Sequence, residues 1–316
     1  MKLLAHLPVV ERSQAAEARR IAVRFAMQIG FDEEEAGMVA IVATELANNL
    51  VNHAKDGELL LSAENRSLDI LSIDRGPGMR MQTTLQDGYS TAGTPGNGLG
   101  AVRRMSARFD AFSNAEGTVL LAGFRPGIAG IGCSRVPIKG ETACGDSWSV
   151  AERNGYRWIL VADGLGHGPF AAEAADRAVE IFESSKLDSV AGVMEEIHEG
   201  LRSTRGAAIA LVRIRQGQVD FCGLGNISAS IQSGVASTHM VSMNGTAGAQ
   251  ARKISPFSYS WPPGARMILH SDGLQTQWTL ERYPGILKKD PALLSGLLYR
   301  DFSRGRDDVT VLVAAP

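Results

Sequence analysis

Three features that this 316-residue sequence lacks set the first limits on its function. It has no apolar run near the roughly 20 residues that a helix needs to cross a bilayer. The brief apolar patch at residues 1–8 is followed by charged residues rather than by the long apolar core of a signal peptide. It also has no basic tract, and its formal net charge is -2, so a duplex nucleic-acid surface is not predicted. We therefore expect a cytoplasmic protein that binds neither a membrane nor nucleic acid.

Cysteine is scarce as well. The three cysteines, Cys133, Cys144 and Cys222, lack metal-ligand spacing, and their odd number favours reduced thiols over a disulfide framework. Cys144 directly precedes an acidic Gly-Asp pair. A small buried residue is the simpler interpretation there, and a nucleophile is the alternative.

The length and the pattern of elements predict two α+β domains. Helices are expected at residues 13–29 and after the acids at 32–35, with strands at 58–63, 68–73 and 119–124. A stretch rich in glycine, with one proline, at residues 125–132 is the candidate seam. Beyond it, strands at 157–161, 207–214, 218–223, 266–269 and 309–313 enclose helices near 170–184 and 189–203. The predicted division is 1–126, a linker at 127–135, and 136–316.

Four short acidic turns follow or precede apolar runs in the last two-thirds of the chain. They are Gly145-Asp146-Ser147, Asp163-Gly164-Leu165-Gly166-His167-Gly168, Ser271-Asp272-Gly273 and Arg306-Asp307-Asp308-Val309-Thr310. This pattern places carboxylates at the ends of buried strands, beside glycines that allow tight turns. Carboxylates gathered without matching positive charge repel one another, so divalent cations best explain the group. The alternative is that each Asp-Gly pair is only a turn.

Three motifs in the first third predict a phosphate cradle. Glu45 and Asn49 are four residues apart on the second helix and therefore share a face. The sequence Asp74-Arg75-Gly76-Pro77-Gly78 follows a strand, and Gly96-Asn97-Gly98-Leu99-Gly100 precedes a helix. Such a glycine-rich turn offers backbone N–H groups to phosphate oxygens, although alone it is more often a flexible loop.

The acidic turns, in their order and context, resemble those of the metal-dependent PPM serine/threonine phosphatases, most closely the small bacterial SpoIIE and RsbX type, over residues 136–313. The resemblance implies an α-β-β-α sandwich with two Mn²⁺ or Mg²⁺ ions. It makes Asp163 the bridging carboxylate, the Gly164 carbonyl a ligand of the first ion, and Asp272 and Asp307 ligands of the second. Asp146 would complete the cluster directly or through water.

The same resemblance favours Asp307 over the adjacent Asp308 as the ligand. It leaves His167 with two interpretations. Its imidazole is a candidate proton donor to the leaving serine oxygen, and a helix-capping or packing role is the alternative.

The three N-terminal motifs resemble the boxes of the GHKL ATPase fold, an α/β two-layer sandwich, and most closely the anti-sigma-factor serine kinases of the RsbT and SpoIIAB kind, over residues 12–124. The resemblance implies ATP with Mg²⁺ as cofactor. Asn49 would bind the magnesium ion, and Asp74 would accept a hydrogen bond from the adenine amino group. The other implied cofactor-binding residues are Gly76 and Gly78 near the base, Gly96, Gly98, Leu99 and Gly100 around the phosphates, and Thr118 beside adenine. His53 is left open between function and packing.

Glu45 determines what chemistry the first domain can perform. A carboxylate near the γ-phosphate can orient an attacking hydroxyl as a general base, so its presence favours kinase activity. The residues between 79 and 95 would form a short lid over ATP, as the anti-sigma kinases have.

The sequence therefore predicts a bifunctional switch in one chain, a metal-dependent phosphoserine/threonine phosphatase with a serine-kinase-like ATP-binding domain. Its expected partner is a STAS-domain phosphoprotein, with a sigma factor as a further candidate, and homodimerisation is expected by analogy. One alternative is that the first domain only binds a partner in an ATP-dependent way and regulates the phosphatase. Another is a scaffold of two degenerate domains, and small-molecule phosphates remain open as substrates.

Overall fold

The computed structural model describes residues 2–64, 66–79, 98–234, 236–251 and 253–316. They form two compact units, Met1–Gly132 with Lys289–Arg300, and Cys133–Lys288 with Asp301–Pro316. The sequence-based division into 1–126 and 136–316 stays a prediction, and it did not anticipate the assignment of Lys289–Arg300 to the first unit. Part of the predicted linker is a strand, Ile131–Val136. Within the ranges given above, no helix is both long and apolar enough to cross a membrane.

The first unit is built on a five-stranded antiparallel sheet with the order β1-β2-β3-β5-β4. The strands are β1 (Lys2–Pro8), β2 (Glu58–Glu64), β3 (Ser67–Ile73), β4 (Arg108–Asn114) and β5 (Gly117–Phe124). Helices α1 (Arg12–Gln28), α2 (Glu33–His53) and α3 (Gly98–Met105) contribute to one core with residues of this sheet.

Local sequence determines where α2 starts and how closely α1 packs. The Asp32 carboxylate accepts a hydrogen bond from the Glu35 N–H at 2.8 Å, and the Glu35 carboxylate accepts one from the Asp32 N–H at 3.0 Å. This reciprocal capping box satisfies two N–H groups at the helix start. Helix α1 buries a stripe of small residues against the core, Ala15, Ala18, Ala22 and Ala26. The capping box thus fixes the residue at which α2 begins. Helix α2 carries Glu45 and Asn49.

The opposite face of this sheet is covered by helix α6 (Pro291–Phe302), of which Pro291–Arg300 belong to the first unit. A Cβ placed on Gly296 would lie 3.3 Å from the Leu71 side chain and 3.4 Å from that of Val119. Side chains alternate between the faces of a strand, and Leu71 lies between Ile70 and Ser72, so it faces away from the α1–α2 core. A side chain at position 296 would be crowded against the sheet, so glycine lets α6 approach it closely.

Polar contacts fix α6 at both of its ends. The Lys289 ammonium lies 2.8 Å from the Asp110 carboxylate, which also accepts a hydrogen bond from the Asp290 N–H at 2.8 Å. At the other end the Tyr299 hydroxyl donates to the Glu58 carboxylate at 3.3 Å.

The second unit contains two larger sheets and a short hairpin. The six-stranded sheet has the order β13-β10-β9-β8-β7, with β16 also paired to β10, and the five-stranded sheet has the order β12-β11-β17-β18-β6. Their strands are β6 (Ile131–Val136), β7 (Asp146–Arg153), β8 (Tyr156–Gly164), β9 (Ala207–Arg215), β10 (Gln218–Leu224), β11 (Ser228–Gln232), β12 (Ser237–His239), β13 (Ser242–Met243), β16 (Phe257–Ser260), β17 (Arg266–His270) and β18 (Val309–Ala314). Strands β14 (Gly245–Thr246) and β15 (Gln250–Ala251) form the hairpin.

Helices α4 (Pro169–Ser184) and α5 (Val190–Gly200) pack on the six-stranded sheet. Their buried residues, such as Phe182 and Met194, join Trp158, Leu160 and Leu211 of the sheet in one cluster. The short 3-10 helices Leu280–Arg282 and Ile286–Lys288 precede α6. The three cysteines are buried and form no disulfide.

Candidate metal centre and nucleotide site

The second unit brings four aspartates to the ends of its strands. Asp146 begins β7 and lies opposite Asp163 near the end of β8, in register. Asp272 comes two residues after β17, and Asp307 comes two residues before β18. The sheets therefore gather the carboxylates that the four acidic turns supply.

Electrostatics shows how closely these groups interact. Burial raises the pKa of Asp163, and the charges of Asp146, Asp272 and Asp307 raise it further. Burial likewise raises the pKa of Asp146, which is 1% exposed, and that of Asp272. Each of these carboxylates thus makes ionisation of Asp163 harder.

The donor set suits a hard divalent cation, because such ions prefer carboxylate, carbonyl and water oxygens. Among the residues that the structure describes, no three His, Cys, Asp or Glu side chains are already arranged around one metal position. Asp146 and Asp163 are nevertheless cross-strand neighbours, and the charges of Asp272 and Asp307 also raise the pKa of Asp163. A cation bound among them would offset their repulsion, so the residues present fit the group.

The two adjacent aspartates of the last turn have different surroundings. The Asp308 carboxylate accepts hydrogen bonds from the N–H groups of Ile138 and Gly145, both at 2.7 Å, and the residue is 3% exposed. Asp307 is more exposed, and its charge raises the pKa of both Asp163 and Asp272. Asp308 therefore braces the loop at 138–145, which leaves Asp307 as the candidate ligand.

Two side chains other than the predicted ligands orient the carboxylates of this centre. The Ser271 hydroxyl donates to the Asp146 carboxylate at 2.6 Å and accepts from the Thr310 N–H at 2.9 Å. The Asn226 amide donates to the Asp272 carboxylate at 2.7 Å. The Ser-Asp-Gly motif indicated a turn, but only the folded chain brings these groups together.

Close backbone packing fixes the turn after β8. A Cβ on Gly164 would lie 2.0 Å from the Ala171 carbonyl oxygen, so only glycine fits there. The Gly164 N–H donates to the Gly145 carbonyl at 2.9 Å, which joins two of the acidic turns. In the same turn, a ring nitrogen of His167 contacts the Glu141 carboxylate, and 58% of the His167 side chain is exposed.

Asp74, the aspartate predicted to contact adenine, directly follows β3 in the first unit. The Asp74 carboxylate accepts hydrogen bonds from the Gly76 N–H at 2.7 Å and the Thr118 N–H at 3.2 Å, and burial raises its pKa. The charge of Arg300 acts in the opposite direction. Arg300 comes from α6, far away in sequence, and no sequence motif indicated it.

Two of the predicted nucleotide-binding residues surround Asp74. A Cβ on Gly78, which has a φ of +74°, would lie 2.1 Å from the Asn114 carbonyl oxygen. Thr118 is 1% exposed, and its hydroxyl is 3.0 Å from that of Ser113. The site thus combines a buried carboxylate, two hydroxyl groups and a glycine that permits close backbone approach.

Helix α2 carries the predicted magnesium and γ-phosphate residues. The Asn49 amide nitrogen is buried and has no hydrogen-bond partner among the described residues. Glu45, one turn earlier, lies with a carboxylate oxygen 2.8 Å from the position that a Cβ on Gly98 would take. The Glu45 carboxylate thus lies at the start of α3, and the buried Asn49 amide nitrogen could donate to an acceptor such as a phosphate oxygen.

Other predicted nucleotide-binding residues lie in α3 and at the end of α2. Leu99 and Gly100 lie in the first turn of α3 and are buried. His53 is the exposed last residue of α2, and its carbonyl oxygen is 3.3 Å from a Cβ built on Gly76. Gly96 and most of the predicted lid at residues 79–95 lie outside the described residues.

These folds and sites define a class of protein, a GHKL-type ATPase unit followed by a PPM-type phosphatase unit. A family model described as "Histidine kinase-like ATPase domain" matches residues 9–124. The serine/threonine-protein kinase RsbT of Bacillus subtilis (strain 168) is 31% identical over 111 residues, which cover 33% of this chain and 84% of RsbT. The phosphoserine phosphatase RsbX of the same organism is 26% identical over 139 residues, which cover 43% of this chain and 70% of RsbX.

A solved structure described as the bacterial stressosome, a modular system that has been adapted to control secondary messenger signaling, also contains a similar chain. It is 32% identical with a TM-score of 0.53, and the match covers 58% of this chain and 97% of that one. The chain belongs to the RsbT-type family of histidine kinase-like ATPase domains, joined to a segment homologous to RsbX phosphatases. The predicted fold class and both resemblances are confirmed.

Proposed function

We propose that the chain is a metal-dependent protein phosphoserine/threonine phosphatase with an ATP-binding, serine-kinase-like unit, and that it switches the phosphorylation state of a STAS-domain partner. The observation that carries the phosphatase half is the convergence of Asp146, Asp163, Asp272 and Asp307, each of which opposes the ionisation of its neighbours. The catalytic and ligand assignments below are part of this proposal.

At the metal centre, Asp163, the Gly164 carbonyl, Asp272 and Asp307 would hold two Mn²⁺ or Mg²⁺ ions, with Asp146 completing the set. When bound, such ions lower the pKa of a water molecule and neutralise phosphoryl oxygens. Asn226 and Ser271 hold the carboxylates of Asp272 and Asp146 in place.

His167 would give a proton to the serine oxygen of the leaving group. The Glu141 carboxylate, which contacts its ring, would orient the imidazole for this step. The high exposure of His167 keeps it accessible to a substrate.

At the nucleotide site, Asp74 would accept a hydrogen bond from the adenine amino group beside Thr118, and the Asn49 amide oxygen would bind Mg²⁺. The backbone N–H groups at the start of α3 would face the phosphates. Glu45 would orient the hydroxyl of a protein serine towards the γ-phosphate as general base. Its position beside Gly98 supports this role.

The STAS partner follows from the resemblance of each half to proteins that act on anti-sigma-factor antagonists. One half is related to a kinase and the other to a phosphoserine phosphatase. A single chain holding both would set opposite phosphorylation states of one partner, or of two. Homodimerisation and a sigma factor as second partner rest on the same analogy.

Two substitutions test whether the sites are independent. Asp163→Asn is expected to lower Mn²⁺-dependent hydrolysis of p-nitrophenyl phosphate by at least about 100-fold, because it removes the bridging carboxylate. ATP binding, measured by calorimetry, should persist in this variant. Asn49→Ala should lose ATP binding and keep Mn²⁺-dependent hydrolysis of p-nitrophenyl phosphate. If either variant loses both properties while its circular dichroism spectrum is unchanged, the proposal of two independent sites is wrong.

A labelling experiment separates a kinase from a binding module. The chain is incubated with γ-labelled ATP and a STAS-domain protein, with Asp163→Asn as background so that label is not removed again. Transfer of label that disappears in Glu45→Ala supports kinase activity. ATP binding without transfer in either protein favours a module that only docks its partner.

A further inference from the structure

Two large apolar side chains are exposed near Asp163, one in its turn and one at the start of the helix that follows. Leu165 is 57% exposed and Phe170 is 62% exposed, whereas the helix that begins with Pro169 buries its apolar residues Ala171, Ala174 and Ala175. Both lie within six residues of Gly164 in the chain. Exposed apolar residues that are continuous with a catalytic centre indicate a binding surface rather than scattered surface residues.

An arginine completes this surface. The Arg205 guanidinium carbon lies 5.0 Å from the centre of the Phe170 ring, and one of its nitrogens lies 3.3 Å from the position of a Cβ on Gly166. Arg205 is exposed, and within the described residues its guanidinium has no carboxylate partner. A cation stacked on an aromatic ring keeps its hydrogen-bond donors available.

The backbone holds Arg205 beside the catalytic turn. The Leu165 N–H donates to the Gly206 carbonyl at 2.9 Å. Gly206 has a φ of +82°, and its Cβ would lie 2.5 Å from the Ala247 carbonyl oxygen, so this position requires glycine. The Gly206 N–H donates to the Thr204 hydroxyl at 3.0 Å. The surface is therefore preorganised and not a freely moving side chain on a loop.

We infer that Leu165, Phe170 and Arg205 form a recognition patch for the polypeptide around the phosphoserine, with apolar side chains next to the phosphoserine packing on Leu165 and Phe170 and an acidic side chain pairing with Arg205. This inference rests on the proposed phosphatase function. The occupant is a phosphoserine segment of a protein substrate, since the patch adjoins the metal turn and its one charge is positive. A second copy of this chain would need no phosphoserine, and the experiment below separates the two.

The test uses synthetic phosphoserine peptides of equal length and the full chain with Mn²⁺. One pair of peptides carries either leucine or glycine on both sides of the phosphoserine. A second pair carries either aspartate or lysine two residues away. For each protein, the ratio of kcat/KM within a pair is measured by phosphate release, so that changes in overall activity cancel.

The wild-type chain should prefer the leucine-flanked peptide by about tenfold, the effect of burying one large apolar side chain. Phe170→Ala and Leu165→Ala should each reduce that preference to about twofold. Arg205→Glu should reverse the preference for aspartate over lysine. Binding of a second copy is excluded if the ratios are independent of protein concentration over about a hundredfold range.

Matched controls lie at the far ends of the same elements. Leu187 is 45% exposed and follows α4, whose 16 residues place it roughly 24 Å from Phe170. Arg215 ends β9, roughly 30 Å along the strand from Arg205. Leu187→Ala and Arg215→Glu should keep both the activity and the peptide preferences of the wild type.

Each outcome has one meaning. Absence of any flank preference in the wild type, or its retention in Phe170→Ala and Arg205→Glu, overturns the recognition patch. Hydrolysis of p-nitrophenyl phosphate without hydrolysis of any peptide also overturns it, and leaves the metal centre standing. If the wild type with Mn²⁺ hydrolyses neither p-nitrophenyl phosphate nor any peptide, the phosphatase function itself is overturned.

Discussion

Asp307 and Asp308 are neighbours in the chain, yet hydrogen bonding gives them different roles. The carboxylate of Asp308 accepts hydrogen bonds from two backbone N–H groups of the loop at 138–145, whereas Asp307 is more exposed and raises the pKa of both Asp163 and Asp272. The sequence motif could rank the two only through a family resemblance. The difference depends on a loop some 160 residues earlier, which no local pattern reveals.

Replacing each aspartate by alanine should separate stability from metal binding. Asp308→Ala leaves the buried Gly145 N–H and the half-buried Ile138 N–H without an acceptor and should lower the free energy of unfolding of the second unit by about 3 kcal/mol. Asp307→Ala should change it by less than about 1 kcal/mol and abolish Mn²⁺ binding.

All four tryptophans, Trp148, Trp158, Trp261 and Trp278, lie in the second unit. Urea unfolding followed by tryptophan fluorescence without metal therefore measures this unit alone. Equal destabilisation by the two variants would contradict the assignment of roles.

Asp69 should make the stability of the first unit depend on pH. It is 3% exposed, and burial raises its pKa from the usual 3.8 to about 6, against the opposing effect of Arg108. A raised carboxyl pKa means that the folded state holds the proton more tightly. The protonated Asp69 carboxyl is therefore compatible with folding at low pH. As the pH rises from about 4 through 6, the free energy of unfolding of the first unit should fall by up to about 3 kcal/mol.

The comparison variant is Asp69→Asn, in which Arg108 keeps its contact with Asp290 at 3.4 Å. Relative to the wild type it should gain stability between pH 4.5 and 7.5, measured by urea unfolding with far-ultraviolet circular dichroism. Asp56→Asn, on an exposed turn with a φ of +52°, should show no such trend. A difference between Asp69→Asn and wild type that does not vary with pH would count against this account.

At the scale of elements, periodic apolar patterns predicted the central strands and both long helices of the first unit to within a few residues. The expected strand at 58–63 is Glu58–Glu64, and the expected helix at 170–184 is Pro169–Ser184. Strands β1, β4, β6 and β7 were not predicted, because polar residues interrupt their apolar runs, namely His6, Asp110, Arg135 and Glu152. Their pairing is determined by tertiary contacts rather than by propensity.

Helix α6 is the most consequential element that the sequence did not predict. It is apolar on nearly every side, with Leu293, Leu294, Leu297 and Leu298 all fully buried, and Gly296 interrupts it. Such a segment has no amphipathic stripe to indicate a helix. Nor could its sequence indicate that it packs on the sheet of the first unit.

Expression of residues 1–132 alone tests the contribution of α6. This fragment lacks the helix that covers Leu71 and Val119, so it should bind a hydrophobic dye and self-associate. Fusing residues 289–302 to it through a flexible linker should restore a monomer with low dye binding. A fusion carrying the same residues in scrambled order is the control. A monomeric, dye-free 1–132 fragment would show that α6 is dispensable for this unit.

For the whole molecule, the proposed metal centre should lower the stability of the second unit when no ion is bound. Four carboxylates that oppose one another's ionisation destabilise the metal-free second unit. The sequence predicted all four as one group, because acidic turns beside apolar runs are visible in it. It did not predict that Ser271 and Asn226 orient them, since these contacts join segments that are distant in the chain.

The repulsion among these carboxylates predicts that, without metal, Asp163→Asn is more stable than the wild type by on the order of 1 kcal/mol. Mn²⁺ should raise the midpoint of thermal unfolding of the wild type, monitored by tryptophan fluorescence, and have little effect on the variant. A variant that is less stable than the metal-free wild type would show that Asp163 is structural rather than functional.

The late position of α6 has a consequence for synthesis on the ribosome. The nascent first unit waits for roughly 160 further residues before its covering helix is made, about 10–30 s at bacterial elongation rates. During that interval the face that includes Leu71 and Val119 is open to chaperones and to other nascent chains. A premature stop codon ahead of Lys289 would therefore damage both halves, although it falls within the coding region of only the second.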